Sequence, residues 1–266
     1  MNPIYLSTGT FTGRVNGRNL RLLAEHWREF ACDGFELLLF EDIYERLPDA
    51  LPLYRDIPIP VVHSDKTIGD LLSAPEEEAY AAAERLLRTN LDVCEAVGAT
   101  KMVLHGWGRP DRDREHDLIC ERILRLWEIA RLRGVDLLPE NCCCEYRDPI
   151  AMFDSLLRLE PRMHFIFDTR LAQFHRQIPE MLRAESFQRH AVHMHINDFA
   201  GNHKEWDALG RTPPFGTGDV DWESLFEGLR KLPYRGSVTL EAPAMLAQGV
   251  DTETLNRRLS FIRSRL

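Results

Sequence analysis

The sequence predicts a parallel α/β barrel of eight strand–helix units, a (β/α)8 fold in one domain over residues 1–266. Two observations carry this. Short, mostly apolar runs of four to six residues alternate with longer amphipathic runs along the whole chain. Apolar runs without clean alternation are how strands covered on both faces read. Eight such pairs in 266 residues give a repeat of about 33 residues, which suits a (β/α)8 barrel. The competing architecture is an open doubly wound sheet. Against it, no GxGxxG turn follows the first strand, and Gly216-Thr217-Gly218 follows a long loop instead of a strand.

The first strand is read at Ile4–Ser7, followed by a helix over Asn19–Cys32. A second strand at Phe35–Phe40 precedes a helical pattern at Asp42–Tyr54, and a third strand covers Ile59–His63. In Glu77–Val97, residues Tyr80, Ala83, Leu87, Leu91, Cys94 and Val97 recur every three or four positions, and Gly98 stops the helix. The fourth strand, Met102–His105, leads to a helix at Glu115–Arg133 built on Ile119, Ile123, Trp127 and Ala130 and stopped by Gly134. The remaining strands are Val135–Glu140, His164–Asp168, Ala191–His195 and Ser237–Glu241. Helices at Pro149–Leu159, Ile178–Arg183, Trp222–Lys231 and Thr252–Arg265 complete the pattern.

Composition bounds the function. Apolar residues are 44% and charged residues 28%, enough for a packed core and against disorder. No run of 18 apolar residues marks a membrane span, and the N-terminus lacks the basic and apolar regions of a signal peptide. Three of the six cysteines, Cys142, Cys143 and Cys144, are consecutive, a poor framework for disulfides. All six are therefore expected as reduced thiols in a cytoplasmic protein. With 33 basic against 42 acidic residues the net charge is −9, which argues against nucleic acid as a partner. No membrane partner is expected. A homo-oligomer is compatible with the fold, though no apolar face in the sequence locates one.

The informative feature is where polar residues fall. Six strands carry a metal-capable side chain at or next to their C-terminal end: His63, His105, Glu140, Asp168, His195 and Glu241. In a barrel these ends face one mouth, where active sites are built. Glu140, Asp168, His195 and Glu241 offer three carboxylates and an imidazole, a donor set suited to Mn²⁺, Mg²⁺ or Co²⁺, with Zn²⁺ also able to bind. A cation so held would leave positions for a carbonyl oxygen and an adjacent hydroxyl. It would acidify the α-proton for a neighbouring carboxylate to move. His193 shares a strand face with His195; His195 is preferred as the ligand because it lies nearest the strand end. Asp198 reads either as support for a ligand imidazole or as a turn residue, and Glu36 either as a paired acid in the barrel floor or as part of the pocket. Trp107 and Trp206 lie on strand-end loops, suited to stacking on a sugar or to loop packing.

At these residues the chain resembles the xylose isomerase-like barrel superfamily, which groups sugar and sugar-phosphate isomerases and epimerases with endonuclease IV. The resemblance rests on an ordered set of segments: Gly98–Gly106, Leu138-Pro139-Glu140-Asn141, Phe167-Asp168-Thr169, His193–Asp198 followed by Phe215–Trp222, and Val238–Glu241. It implies one divalent metal, manganese first, on Glu140, Asp168, His195 and Glu241, with Glu140 and Glu241 as the catalytic acid/base pair. It further implies that His63 and His105 line a sugar site and that Arg211 contacts substrate. Arg170, two residues after Asp168, would meet a substrate phosphate or carboxylate or serve as a rim ion-pair partner. The implied activity is isomerisation or epimerisation of a sugar, ketose or sugar phosphate. The alternatives are dehydration of a keto-polyol on the same site, endonuclease IV-like hydrolysis, and a non-catalytic sugar-binding barrel. The trinuclear site of endonuclease IV needs a His where this chain has Leu171, and an Asp-x-His where it has Gly210–Phe215.

Overall fold

In a computed structural model, which describes residues 2–107, 112–241 and 249–266, eight parallel strands form a nearly closed ring. They are β1 (Ile4–Ser7), β2 (Gly34–Leu38), β3 (Val61–His63), β4 (Lys101–Leu104), β5 (Asp136–Pro139), β6 (Phe165–Asp168), β7 (Ala191–Ile196) and β8 (Ser237–Leu240). The hydrogen-bonded order is β5-β4-β3-β2-β1-β8-β7-β6. The ring closes between β5 and β6 through one isolated bridge, Glu140 opposite Ile166. There the Asn141 side chain supplies what the backbone does not. Its Oδ1 accepts the Asp168 N–H at 2.6 Å and its Nδ2 donates to the Asp168 carbonyl at 3.0 Å.

Helices cover the outside of the ring. Among the described residues they are α1 (Arg21–His26), α2 (Leu47–Ala50), α3 (Thr67–Leu72), α4 (Glu77–Val97), α5 (His116–Leu132), α6 (Pro149–Leu159), α7 (Thr169–Phe174), α8 (Ile178–Arg183), α9 (Glu185–His190), α10 (Trp222–Lys231) and α11 (Thr252–Arg265). Local chemistry sets their ends. Pro149 opens α6 where its missing N–H costs nothing, and Asp148 caps it by accepting the Ala151 N–H at 3.0 Å. Gly98 ends α4 in the left-handed region, φ +73°. None of the described helices is long and apolar enough to cross a membrane.

Three expectations need correction. The helix read at Asn19–Cys32 is one short helix, α1, followed by a 3₁₀ turn at Trp27–Glu29. Beyond it the chain is taken over by Asn256 of α11, which donates to the Glu29 carbonyl and accepts the Ala31 N–H, both at 2.8 Å. The pattern at Asp42–Tyr54 is split into 3₁₀, α and 3₁₀ pieces, with Pro48 and Pro52 opening the second and third. The third strand starts at Val61 instead of Ile59, because Pro60 has no N–H for the ladder.

The barrel interior is layered by the two-residue period of a strand. Tyr5, Val61, Val103, Leu138 and Ile166 form an apolar floor. Two residues further along, four of those strands present His63, His105, Glu140 and Asp168. The alternate residues Val62, Met102, Leu104, Leu137, Phe165 and Phe167 pack outward with the helices in the main core.

Candidate active site

The strand ends converge as the chain order requires. His195, at the end of β7, is fully buried and its Nδ1 faces three carboxylates. Glu140 Oε1 lies 2.9 Å away, Glu241 Oε2 3.5 Å and Asp168 Oδ2 3.7 Å. His63 stacks on His195 with ring centroids 5.6 Å apart, and His105 Nε2 contacts Glu140 Oε2. Overlapping sets of these side chains bring ligand atoms close enough to share one ion: Glu140, Asp168 and His195; His63, His195 and Glu241; His63, His105 and Glu140.

Each group is held from behind. Asp168 caps α7, its Oδ1 accepting the Leu171 N–H at 2.7 Å, which leaves Oδ2 toward His195. Asn197 donates to Glu241 Oε2 at 3.2 Å and is itself fixed by Thr169 through two backbone contacts. On the far side of His195, Nε2 donates to Glu36 on β2, at 2.9 Å from Oε1. Glu36 is fully buried and also accepts from His193 Nε2 at 2.8 Å and Thr239 Oγ1 at 2.9 Å. A carboxylate behind an imidazole fixes the tautomer and aims the opposite nitrogen. Here that nitrogen is Nδ1, and it is aimed at the acids.

The charges are unbalanced without a positive partner. Burial, and then the charges of Glu140 and Glu241, push the Asp168 carboxyl up to about 8. Burial works against ionising Glu140, but His105 and His195 outweigh it and hold the carboxyl well below its usual range. Burial also opposes a charge on His195, yet Glu36 and Glu241 raise it well above the ordinary histidine range. The acids thus favour positive charge at the centre of the cluster. His63 is driven the other way, down to about 4, by burial and by His105. His63 Nε2 is buried without a hydrogen-bond partner, and Glu140 Oε2 meets the Nε2 of His105. Three carboxylates, one aimed imidazole and an unpartnered buried nitrogen fit a divalent metal ion.

Beside the acids a cavity of about 240 Å³ opens on His105. Trp107, Trp206, Lys66 and Arg170 line it, together with Cys142 and Cys143. All six cysteines are free thiols, and burial raises those of Cys142, Cys143 and Cys144. Arg170 donates to the Leu209 carbonyl and pairs with no carboxylate among the described residues, so the rim ion pair is not made. Arg211 is not brought to this cavity. It is exposed, with its N–H closing the 3₁₀ turn Trp206–Gly210 onto the Ala208 carbonyl.

Asp198 supports no imidazole. It staples the long β7 loop by accepting the N–H groups of Phe199, Gly216 and Gly218 at 2.9, 2.9 and 3.0 Å. Glu36, Asn141 and Asn197 are the positioning residues the sequence did not assign. Asn141 and Asn197 each directly follow or lie two beyond a strand-end ligand, a signal that could have found them. Glu36, an acid inside an apolar strand, was a signal in itself, but its partners were not legible.

A parallel ring of eight strands with acids and imidazoles gathered at its C-terminal mouth defines a (β/α)8 barrel with an enzyme-type site. The chain belongs to the xylose isomerase-like TIM barrel family, which matches residues 27–264. Solved structures share the fold at low identity. A D-allulose 3-epimerase from Methylomonas sp. is 17% identical with a TM-score of 0.75, covering 100% of this chain and 98% of that one. A D-psicose 3-epimerase from Clostridium cellulolyticum H10 is 14% identical with a TM-score of 0.75, covering 99% of each. The 3-keto-D-glucoside 4-epimerase from E. coli is 18% identical with a TM-score of 0.68, covering 99% and 100%. No curated protein matches the sequence.

Proposed function

We propose that the chain is a divalent-metal-dependent isomerase or epimerase of a sugar, ketose or sugar phosphate. The observation that carries this is the convergence of Glu140, Asp168 and Glu241 on His195 Nδ1. The sugar epimerases among its structural neighbours support the substrate class. Glu140, Asp168, His195 and Glu241 would hold the metal, with Mn²⁺ the first choice and Mg²⁺, Co²⁺ or Zn²⁺ as alternatives. When bound, the ion would polarise the substrate carbonyl and so acidify the adjacent C–H.

The chain's own residues supply the rest. One of Glu140 and Glu241 takes the proton from carbon, and the C–H electron pair moves toward the carbonyl. The other glutamate returns a proton, to the opposite face of the same carbon in an epimerase or to the neighbouring carbon in an isomerase. His63 and His105 bound the substrate on the side of β3 and β4. Trp107 and Trp206 give it an apolar wall and keep water from the reacting carbon.

The test is proton exchange at carbon. The Mn²⁺-loaded protein, given a panel of ketoses in D₂O, is expected to incorporate deuterium without changing product mass otherwise. Glu140→Gln and Glu241→Gln should each lower exchange by about 10²- to 10⁴-fold while retaining the far-ultraviolet circular dichroism of the parent. Parent-like exchange in either variant removes that residue from the acid/base pair. Loss of the mass of one water identifies a dehydratase instead.

A further inference from the structure

We infer that the substrate carries an anionic group, a phosphate ester or a carboxylate, held by Lys66 and Arg170. The inference rests on the proton-transfer reading of the neighbouring acids. Both cations line the cavity that opens on His105, and His105 in turn contacts Glu140. A ligand filling the cavity therefore has one end at the acids and the other within reach of the two cations.

The charge distribution singles out this wall. The chain is acidic overall, and the centre of the site holds three carboxylates. Yet the cavity is lined by two cations against one carboxylate, Asp70. Neither makes an ion pair among the described residues, although the charge of Lys66 is felt by Glu241. Lys66 makes no side-chain hydrogen bond or ion pair there. Arg170 has a single hydrogen bond, to the Leu209 carbonyl, and its Nε is buried without a partner. A partly buried guanidinium beside two tryptophans is stabilised by a planar oxyanion, which it can bind with two parallel N–H donors. A neutral hydroxyl would leave that charge uncompensated.

Position favours an anion at this wall over one at the centre. Near Glu140, Asp168 and Glu241 an anionic group would be repelled. At the Lys66–Arg170 wall the same group is attracted, so it also fixes which end of the ketose meets the acids.

The experiment compares D-fructose, D-fructose 6-phosphate and D-fructuronate with the Mn²⁺-loaded full chain. Binding is followed by calorimetry, and carbon-bound proton exchange by NMR in D₂O. One charged probe is expected to exceed fructose by at least about tenfold in affinity, and the better of the two identifies phosphate or carboxylate. Arg170→Gln and Lys66→Gln should each weaken that probe by about 10- to 100-fold, through KM more than kcat, and draw the charged-to-neutral ratio toward one. Equal binding of all three probes by the parent, or an unchanged ratio in both variants, overturns the anion site and leaves proton transfer standing. Selective binding of a charged probe that the variants abolish, with no exchange from any probe, supports the anion site and faults the proton-transfer reading instead.

Discussion

Glu36→Gln tests whether the site depends on a residue that never meets the substrate. Glu36 accepts three donors in a dry interior: the Nε2–H groups of His193 and His195 and the hydroxyl of Thr239. Glutamine keeps the shape but turns one acceptor terminus into a donor. Its single oxygen serves two partners, so the third faces an amide N–H. One buried donor left unpaired costs about 1–3 kcal/mol. The other two bonds lose their charge assistance, and the sum is about 3–5 kcal/mol, the usual cost of breaking a buried pair. At this chain length that corresponds to a fall in Tm of about 10 °C. The effect specific to the site is different. With its rear anchor weakened, His195 no longer holds Nδ1 on the acids, and Mn²⁺ affinity should fall by about 10- to 100-fold. Calorimetry gives the first quantity, and the electron paramagnetic signal of unbound Mn²⁺ in a titration gives the second. Thr239→Val is the control, since it removes one donor to Glu36 and leaves His195 anchored. It should lose about 1 kcal/mol and keep its affinity. Parent-like Mn²⁺ affinity in a folded Glu36→Gln protein would refute the anchoring argument.

Asp168→Asn separates capping from ligation: asparagine caps a helix as well as aspartate, so Tm should hold within a few degrees while cation affinity collapses, and retained affinity would remove Asp168 from the ligand set. His175 Nε2 accepts the Cys144 N–H at 2.9 Å, and burial lowers its pKa from 6.5 to about 4. Its neutral form is the folded one, so its contribution is complete above pH 6.5 and is lost as pH falls toward 4, up to about 3 kcal/mol. His175→Gln should flatten stability against pH in that window, measured by urea unfolding; an unchanged slope rules the residue out. Gly218→Ala would place a Cβ 2.3 Å from Asp198 Oδ1 and 2.5 Å from the Phe199 carbonyl. It should therefore unstaple the β7 loop and cost about 1–3 kcal/mol, read as a lower Tm.

The strand ends were legible because each is a local event. An apolar run that stops at His63, Glu140 or Asp168 announces both the strand and its last inward residue. The long helices were legible for the same reason: α4 repeats its apolar stripe over five turns. Helices α3, α7 and α9 have six residues each, a length at which the period is weak, and none was read, whereas the equally short α8 was. Glu36 was noticed but left undecided, because its partners stand on β7 and β8, across the lumen and about 160 to 200 positions away. Which acid meets which imidazole there depends on the stagger of strands that are not neighbours of β2. No pattern along the chain encodes that. Arg211 was placed by residue type and neighbouring segment alone; it follows a 3₁₀ turn that composition does not reveal and is exposed, away from the cavity beside the acids.

The gap between β5 and β6 gives the acids a mechanical meaning. Elsewhere the wall is sewn by peptide groups, but here the thread is one bridge and the carboxamide of Asn141, a peptide group in miniature. Glu140 and Asp168 stand on the two lips of that opening. The charge of Glu140 on one lip pushes the Asp168 carboxyl on the other toward its neutral form, and a positive charge between them would let both ionise. The pair proposed to grip a metal thus stands at the least-sewn seam of the barrel. If a cation binds there, amide exchange along Asp136–Pro139 and Phe165–Asp168 should slow on loading.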